Sequence, residues 1–180
     1  MTYEFAVIET PLGPAHAAAR DGKLCALQLA ATPPRPSSLL ARLDLPRAQR
    51  AFDRAGIRAA LAAYFRGDLG AVDDVEVDPD GTSFQRRVWA ALRAIPAGET
   101  TTYGALARSL GMPNAARAVG AANGANPIWI VLPCHRVIGS DGELTGYAGG
   151  LDAKRWLLEH ERSFRAQRLD RIEAGCAARG

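Results

Sequence analysis

The chain has 180 residues, 48% of them hydrophobic and 23% charged, with a net charge of +3. That composition is globular rather than disordered, and no apolar run approaches the ~20 residues that a membrane-spanning helix needs. The opening MTYEFAVIETPLGP has neither a basic start nor a long apolar stretch, so it reads as neither a secretory leader nor an anchor. A cytoplasmic protein without a membrane partner is expected. The three cysteines, Cys25, Cys134 and Cys176, are odd in number and widely spaced, which excludes a disulfide framework. In a reducing compartment each is either inert packing or reactive. Charge is uneven along the chain. Residues 1–81 carry nine Lys and Arg against eleven Asp and Glu, a net of −2, and residues 82–180 carry thirteen against eight, a net of +5. The second half is therefore the candidate surface for a polyanion.

YEFAVIE (residues 3–9) and KLCALQLA (23–30) alternate or run apolar and read as strands, with TPLGP and RDG as turns between them. ATPPRPSS (31–38) is a Pro- and Ser-rich loop. Ile57, Ala60, Leu61, Tyr64 and Phe65 recur at i, i+3, i+4, i+7 and i+8, which predicts an amphipathic helix closed by Gly67. VDDVEVDPDG (72–81) predicts a strand running into an exposed acidic turn. From Thr82 the chain turns mainly helical. Phe84, Val88, Leu92 and Ile95 share one face of a helix whose N-cap is Thr82 or Ser83. Residues 96–123 hold two short helical patterns around GMPN, the pattern of a helix-turn-helix or of an ordinary helical hairpin. NPIWIVLPCHRV (126–137) reads as an apolar strand leading to Cys134. IGSDGELTGYAGG (138–150) is Gly-rich and hairpin-like. LDAKRWLLEHERS (151–163) is a helix capped by Asp152, and the remainder is a charged, partly frayed tail.

The segment VLPCHRVIG (131–139) carries the chemistry. Pro133 stiffens the approach to Cys134 and removes a backbone donor. A free thiol has a pKa near ~8.5, so a working thiolate needs a base or positive charge beside it. His135 is adjacent, but neighbours on an extended strand point to opposite faces. Direct contact would need a turn, or a bridging water. A carboxylate from the last helix, Glu159 or Glu161, is placed to orient the imidazole in the manner of a triad.

Residues 126–161, with TSFQRRVWAALRAIPAGETTTYGALARSLGMPNAARAVGAAN upstream, resemble the C-terminal domain of the O6-alkylguanine-DNA alkyltransferases, also called methylated-DNA–protein-cysteine methyltransferases. The likeness is dense over about residues 82–162, and IETPLGP and LAAYFRGDL extend it more loosely toward the N-terminus. It implies an α/β N-terminal domain of ribonuclease-H-like type (1–81), a mainly α, winged-helix-like domain with a helix-turn-helix (82–165), and a tail (166–180). It implies one-shot transfer of a methyl or other alkyl group from O6 of guanine to a cysteine, with O4 of thymine left open as a second lesion. By resemblance Cys134 is the acceptor, His135 the water-bridged base, and Glu161 the group that orients it. Asn126 supports the turn before the active-site strand. Arg117 resembles the finger that enters the duplex, on a helix whose small residues include Ala116, Gly120 and Ala121. Tyr103 resembles the tyrosine that aids base extrusion and bonds the guanine. Tyr147 and Ala148 belong to the pocket lip. The implied partner is double-stranded DNA carrying O6-alkylguanine, bound by a monomer, with cooperative binding on DNA left open.

Target atoms inside a duplex require the nucleotide to be flipped out, which costs a few kcal/mol. No cofactor is implied. Cys25 and His16 alone are too few for the structural zinc of some relatives, so no metal is expected. Trp129 is unusual at a pocket-lip position that is smaller in many relatives, and either narrows the entrance or packs in the core. Two other readings compete. A lesion-flagging DNA binder would lack the cysteine, and a thiol hydrolase would turn over repeatedly.

Overall fold

The structure, a computed structural model, describes residues 3–31, 39–42 and 56–177. Three antiparallel strands, β1 (Tyr3–Ile8), β2 (Ala15–Arg20) and β3 (Lys23–Leu29), form a sheet in the order β1-β2-β3. The middle strand is AHAAAR, a sequence of low strand propensity. Its place is set by burial, since Ala17, Ala18 and Ala19 are fully enclosed. A bulge between Ala18 and Ala19 lets Cys25 slip out of register in β3. Leu24 and Leu27, three apart, therefore both face the main core, while Cys25 and Ala26 face the other side of the sheet with Phe5, Leu39 and Leu40. Leu39 and Leu40 belong to α1 (Leu39–Arg42).

The free edge of β3 is used twice. Leu24 donates to Glu76 O and accepts from Asp78 N, each near 2.9 Å, and Leu27 donates to Pro127 O while accepting from Trp129 N. The predicted strand at 72–81 is thus a set of turns with a single parallel bridge at Val77. Two of its acidic residues form ion pairs with the sheet, Asp78 with Arg20 and Glu76 with Lys23. The second contact along β3 pins the start of the cysteine-bearing segment to the sheet.

Helix α2 (Ile57–Phe65) buries Ile57, Leu61 and Tyr64, as the spacing predicts, and Gly67 beyond it has φ +104°. Helix α3 (Ser83–Leu92) begins at Thr82 with a reciprocal capping box to Gln85. Ile95 falls past its end but is buried. The two-residue strand β4 (Thr101–Thr102) leads straight into α4 (Tyr103–Ser109), capped by the Thr102 hydroxyl. Helix α4 stops in a Schellman arrangement. Met112 N bonds Ala107 O and Gly111 N bonds Arg108 O, both at 2.9 Å, with Gly111 at φ +74°. After this turn α5 (Ala116–Gly124) packs on both α3 and α4.

Strand β5 (Val137–Ile138) pairs parallel with β4, and α6 (Leu151–Ala177) closes the chain. Gly150 precedes α6, and Asp152 lies inside its first turn, ion-paired to Arg155, so Asp152 is not the cap. The helix continues to Ala177 where the sequence suggested a frayed tail. One continuous apolar core runs from Ala6 and Leu24 through Trp89 and Val119 to Cys134 and Leu157. Residues 32–38 of the predicted loop and the side chain of Cys176 lie outside the described residues.

Candidate active site

The apolar run before Cys134 is not a strand. Asn126 organises it as a series of tight turns. Its Oδ1 accepts from Ile128 N (2.9 Å) and its Nδ2 donates to Leu132 O (2.7 Å), so one side chain spans the loop. Ile130 sits at φ +69°, a conformation costly for a β-branched residue, with Val131 N bonded to Trp129 O across it. That is a γ-turn. Pro133, at φ −80° and ψ 65°, forms a second, inverse γ-turn closed by Cys134 N to Leu132 O at 2.7 Å. The chain then winds into a single 3-10 turn, Cys134–Arg136. The alternation rule that would separate Cys134 from His135 does not apply to such a turn.

All three residues of the turn are buried, at 4%, 0% and 3% exposure. They meet Glu161, itself fully buried on α6. His135 Nε2 lies 2.8 Å from Glu161 Oε1. Arg136 grips the same carboxylate through Nε and Nη2 at 2.9–3.2 Å and donates Nη1 to Ile95 O at 2.6 Å. The Tyr64 hydroxyl, from α2, donates to Oε1 at 2.7 Å, and Gly98 N donates to Oε2 at 2.9 Å. Burial alone would raise the Glu161 carboxyl, but its His135 and Arg136 partners outweigh this and hold it well below the usual carboxylate range. Glu159, the other candidate, is exposed.

Burial lowers the His135 pKa, which keeps the ring neutral at physiological pH. An ionised carboxylate only accepts hydrogen bonds. The proton of the neutral imidazole must therefore sit on Nε2, which leaves a lone pair on Nδ1. Nδ1 is buried and has no hydrogen-bond partner among the described residues. Burial pushes the Cys134 thiol up to about 11, partly offset by the neighbouring Asn126 amide and the positive charge of Lys154. Asn123, on α5, donates to Cys134 O at 3.4 Å.

The other sequence-named residues surround this array. Tyr103 is the first residue of α4, and the β4–β5 ladder ties it to the strand that follows the cysteine turn. Its half-buried ring lies over Gly120, where a Cβ would be 3.6 Å away. Arg117 and Ala121 are exposed on α5, and Ala116 and Gly120 are half-buried. Trp129 is 3% exposed, donates Nε1 to Asn126 O at 3.1 Å, and lies 5.5 Å from the Tyr147 ring. Gly149 passes so close to both rings that a Cβ would come within 2.9 Å of each. The Tyr147 hydroxyl is enclosed without a partner among the described residues, and Ala148 packs at the edge of the core. The predicted hairpin at 138–150 has a tight turn at Gly139–Glu143 but no strand pairing beyond β5.

Sequence reasoning did not assign Tyr64, Arg136 or Lys154 to the site. Lys154 had a readable signal: Lys154, Leu157, Leu158 and Glu161 share one buried helical stripe. Arg136 and Tyr64 had none, because their partner lies 25 and 97 residues away. Trp89 and His160 are structural, Trp89 bonding Ala122 O and His160 stacking on Trp156. Cys25 is buried beneath the sheet, and no described helix is long and apolar enough to cross a membrane.

The site thus defines a protein with a buried thiol beside a histidine–carboxylate–arginine array. Residues 83–163 match the family model described as 6-O-methylguanine DNA methyltransferase, DNA binding domain. A methylated-DNA–protein-cysteine methyltransferase of Mycolicibacterium paratuberculosis is 50% identical over 88% of this chain and 92% of its own length. The Salmonella typhimurium protein of the same name is 63% identical over 59% of this chain, and the chain spans 62% of that relative. The crystal structure of Mycobacterium tuberculosis O6-methylguanine methyltransferase superposes with a TM-score of 0.75 at 43% identity, covering 90% of this chain and 94% of that one. The structure of Mycobacterium tuberculosis OGT in complex with DNA gives 0.74 at 44% identity, covering 91% and 94%. The chain belongs to the methylated-DNA–protein-cysteine methyltransferase family.

Proposed function

We propose that this protein repairs DNA by moving an alkyl group from O6 of a flipped-out guanine to Cys134, once per molecule. The observation that carries the reading is the free lone pair of His135 Nδ1, fixed by the ionised Glu161 on the far side of the ring. A thiol raised to about 11 is mostly protonated at neutral pH and needs such a base, reached through a water. The thiolate attacks the alkyl carbon, the carbon–O6 bond breaks, and its electron pair returns to the guanine. The Tyr103 hydroxyl supplies the hydrogen bond that supports the leaving base. The product is a thioether, which has no leaving group for water to displace, so no second turnover follows.

Recognition of the duplex falls to α4, the Gly111 turn and α5, read as a helix-turn-helix. The exposed Arg117 fills the space left by the base, and Ala116, Gly120 and Ala121 let the helix approach the groove. Trp129, Tyr147 and Ala148 form the pocket wall. The three-stranded half is read as ribonuclease-H-like, the second half as winged-helix-like, and the protein as a cytoplasmic monomer. Its role in catalysis includes Tyr64, which reaches Glu161 from α2.

Turnover counting tests this reading. With a fivefold excess of duplex carrying one O6-methylguanine, repaired DNA should plateau at one equivalent per protein. Continued turnover, or no repair despite lesion-selective binding, would refute it in favour of a hydrolase or a lesion-flagging protein respectively.

A further inference from the structure

Lys154 is fully buried on α6, and its Nζ donates to Val137 O (2.7 Å) and Thr145 O (2.8 Å). Among the described residues no carboxylate pairs with it. An ammonium has three donors, and two are accounted for. Buried charges are normally paired, because the cost of leaving water is otherwise several kcal/mol. A neutral glutamine could hold two carbonyls, so the carbonyl tethers do not explain a lysine.

The charges around Cys134 can be balanced group by group. Its own turn brings His135, held neutral, and Arg136. Helix α6 brings Glu161 and Lys154, and the segment after β5 brings the Tyr147 phenol, which burial keeps protonated. Helix α3 packs on the turn, and its buried residues, Val88, Trp89 and Leu92, are not titratable. From α5 and the loop beyond it come the amides Asn123 and Asn126. Glu161 and Arg136 cancel each other in a bidentate pair. With Lys154 charged, the site carries one positive charge that no carboxylate among the described residues compensates, and ionising Cys134 would make it neutral. Burial lowers the Lys154 pKa and raises the Cys134 thiol, and each group partly offsets that effect in the other.

We propose that Lys154 is a positioning residue for the transfer reaction, the buried counter-charge against which the Cys134 thiolate forms. The role rests on the function proposed above, because only a reactive Cys134 needs it. It also assigns labour within the site. His135 accepts the proton, and Lys154 stabilises the charge that remains. Its two carbonyl tethers hold the ammonium between the strand after the cysteine turn and the segment leading to Tyr147.

The test is the rate of Cys134 modification by iodoacetamide against pH, read by peptide mapping so that Cys25 and Cys176 do not contribute. Lys154→Gln keeps a donor for the carbonyls and removes the charge, and Lys154→Arg keeps the charge. The account predicts that Lys154→Gln moves the pH midpoint up by about one unit, with a roughly tenfold slower reaction at pH 7, while Lys154→Arg stays near the wild type. An unmoved midpoint in folded Lys154→Gln would overturn it and leave Lys154 as a tether. If the glutamine variant fails to fold, the reciprocal shift decides. The Lys154 ammonium, followed by NMR, should titrate at lower pH in Cys134→Ala than in the wild type, and equal titration would overturn the proposal. Because iodoacetamide needs no DNA, failure of this inference is distinguishable from failure of the repair function, which turnover counting on alkylated duplex reads separately.

Discussion

Replacing Glu161 with glutamine tests the centre of the site. The carboxylate accepts from His135 Nε2, Arg136 Nε and Nη2, the Tyr64 hydroxyl and Gly98 N, all buried or partly so. Glutamine keeps the shape, but offers a single oxygen acceptor and turns an NH2 toward groups that only donate. It also leaves the Arg136 guanidinium buried without its counter-charge. Breaking a buried pair by removing one partner costs about 3–5 kcal/mol, out of a total stability of about 5–15 kcal/mol. For a chain of this size each kcal/mol shifts the melting temperature by about 2–4 °C, so Glu161→Gln should melt roughly 6–20 °C lower at pH 7. Because the folded protein holds the Glu161 pKa below its unfolded value of about 4.3, this contribution is whole above that pH. It is lost as pH falls through and below it. The gap between wild type and variant, measured by thermal melts from pH 7 down to pH 3, should therefore narrow only in the acid range. A variant that melts with the wild type at pH 7, or a gap that stays constant into acid, would refute the buried-pair reasoning.

Three other perturbations separate the parts of the account. Tyr64→Phe removes one hydrogen bond to a charged acceptor and should cost about 1.5–3 kcal/mol in urea denaturation. It should also slow transfer, since Tyr64 holds the carboxylate that holds His135. Gly111→Ala adds a methyl with nothing within 4 Å, so any loss comes from the positive φ; about 1–2 kcal/mol is expected, and an unchanged melt would refute the Schellman assignment. Trp129→Ala should change the ratio of transfer rates from methyl and benzyl substrates, and identical relative rates would remove Trp129 from the pocket wall.

How far the sequence foretells this site depends on the range of the interaction. Helices with a strong apolar stripe or a capping box, such as α2 and α3, are local events and were readable. The PCHRV motif, read with the final helix, pointed to Cys134, His135 and Glu161, and the structure brings the latter two together. The approach to Cys134 was misread as a strand because IWIVL has the composition of one. Its path is set instead by the Asn126 side chain, by Pro133, and by Ile130 in a conformation its own chemistry disfavours. Strand β2 hid for the opposite reason, since alanines make a strand only where burial between neighbours demands small side chains. Tyr64 and Arg136 look like an ordinary core tyrosine and a surface arginine until the fold delivers Glu161 to both.

The most direct test of the central claim is intact mass spectrometry with peptide mapping after mixing the protein with duplex DNA bearing one O6-methylguanine. The account predicts a gain of one methyl group per molecule, located on Cys134 and absent in Cys134→Ser. An unmodified Cys134, or a methyl group found elsewhere, would contradict it.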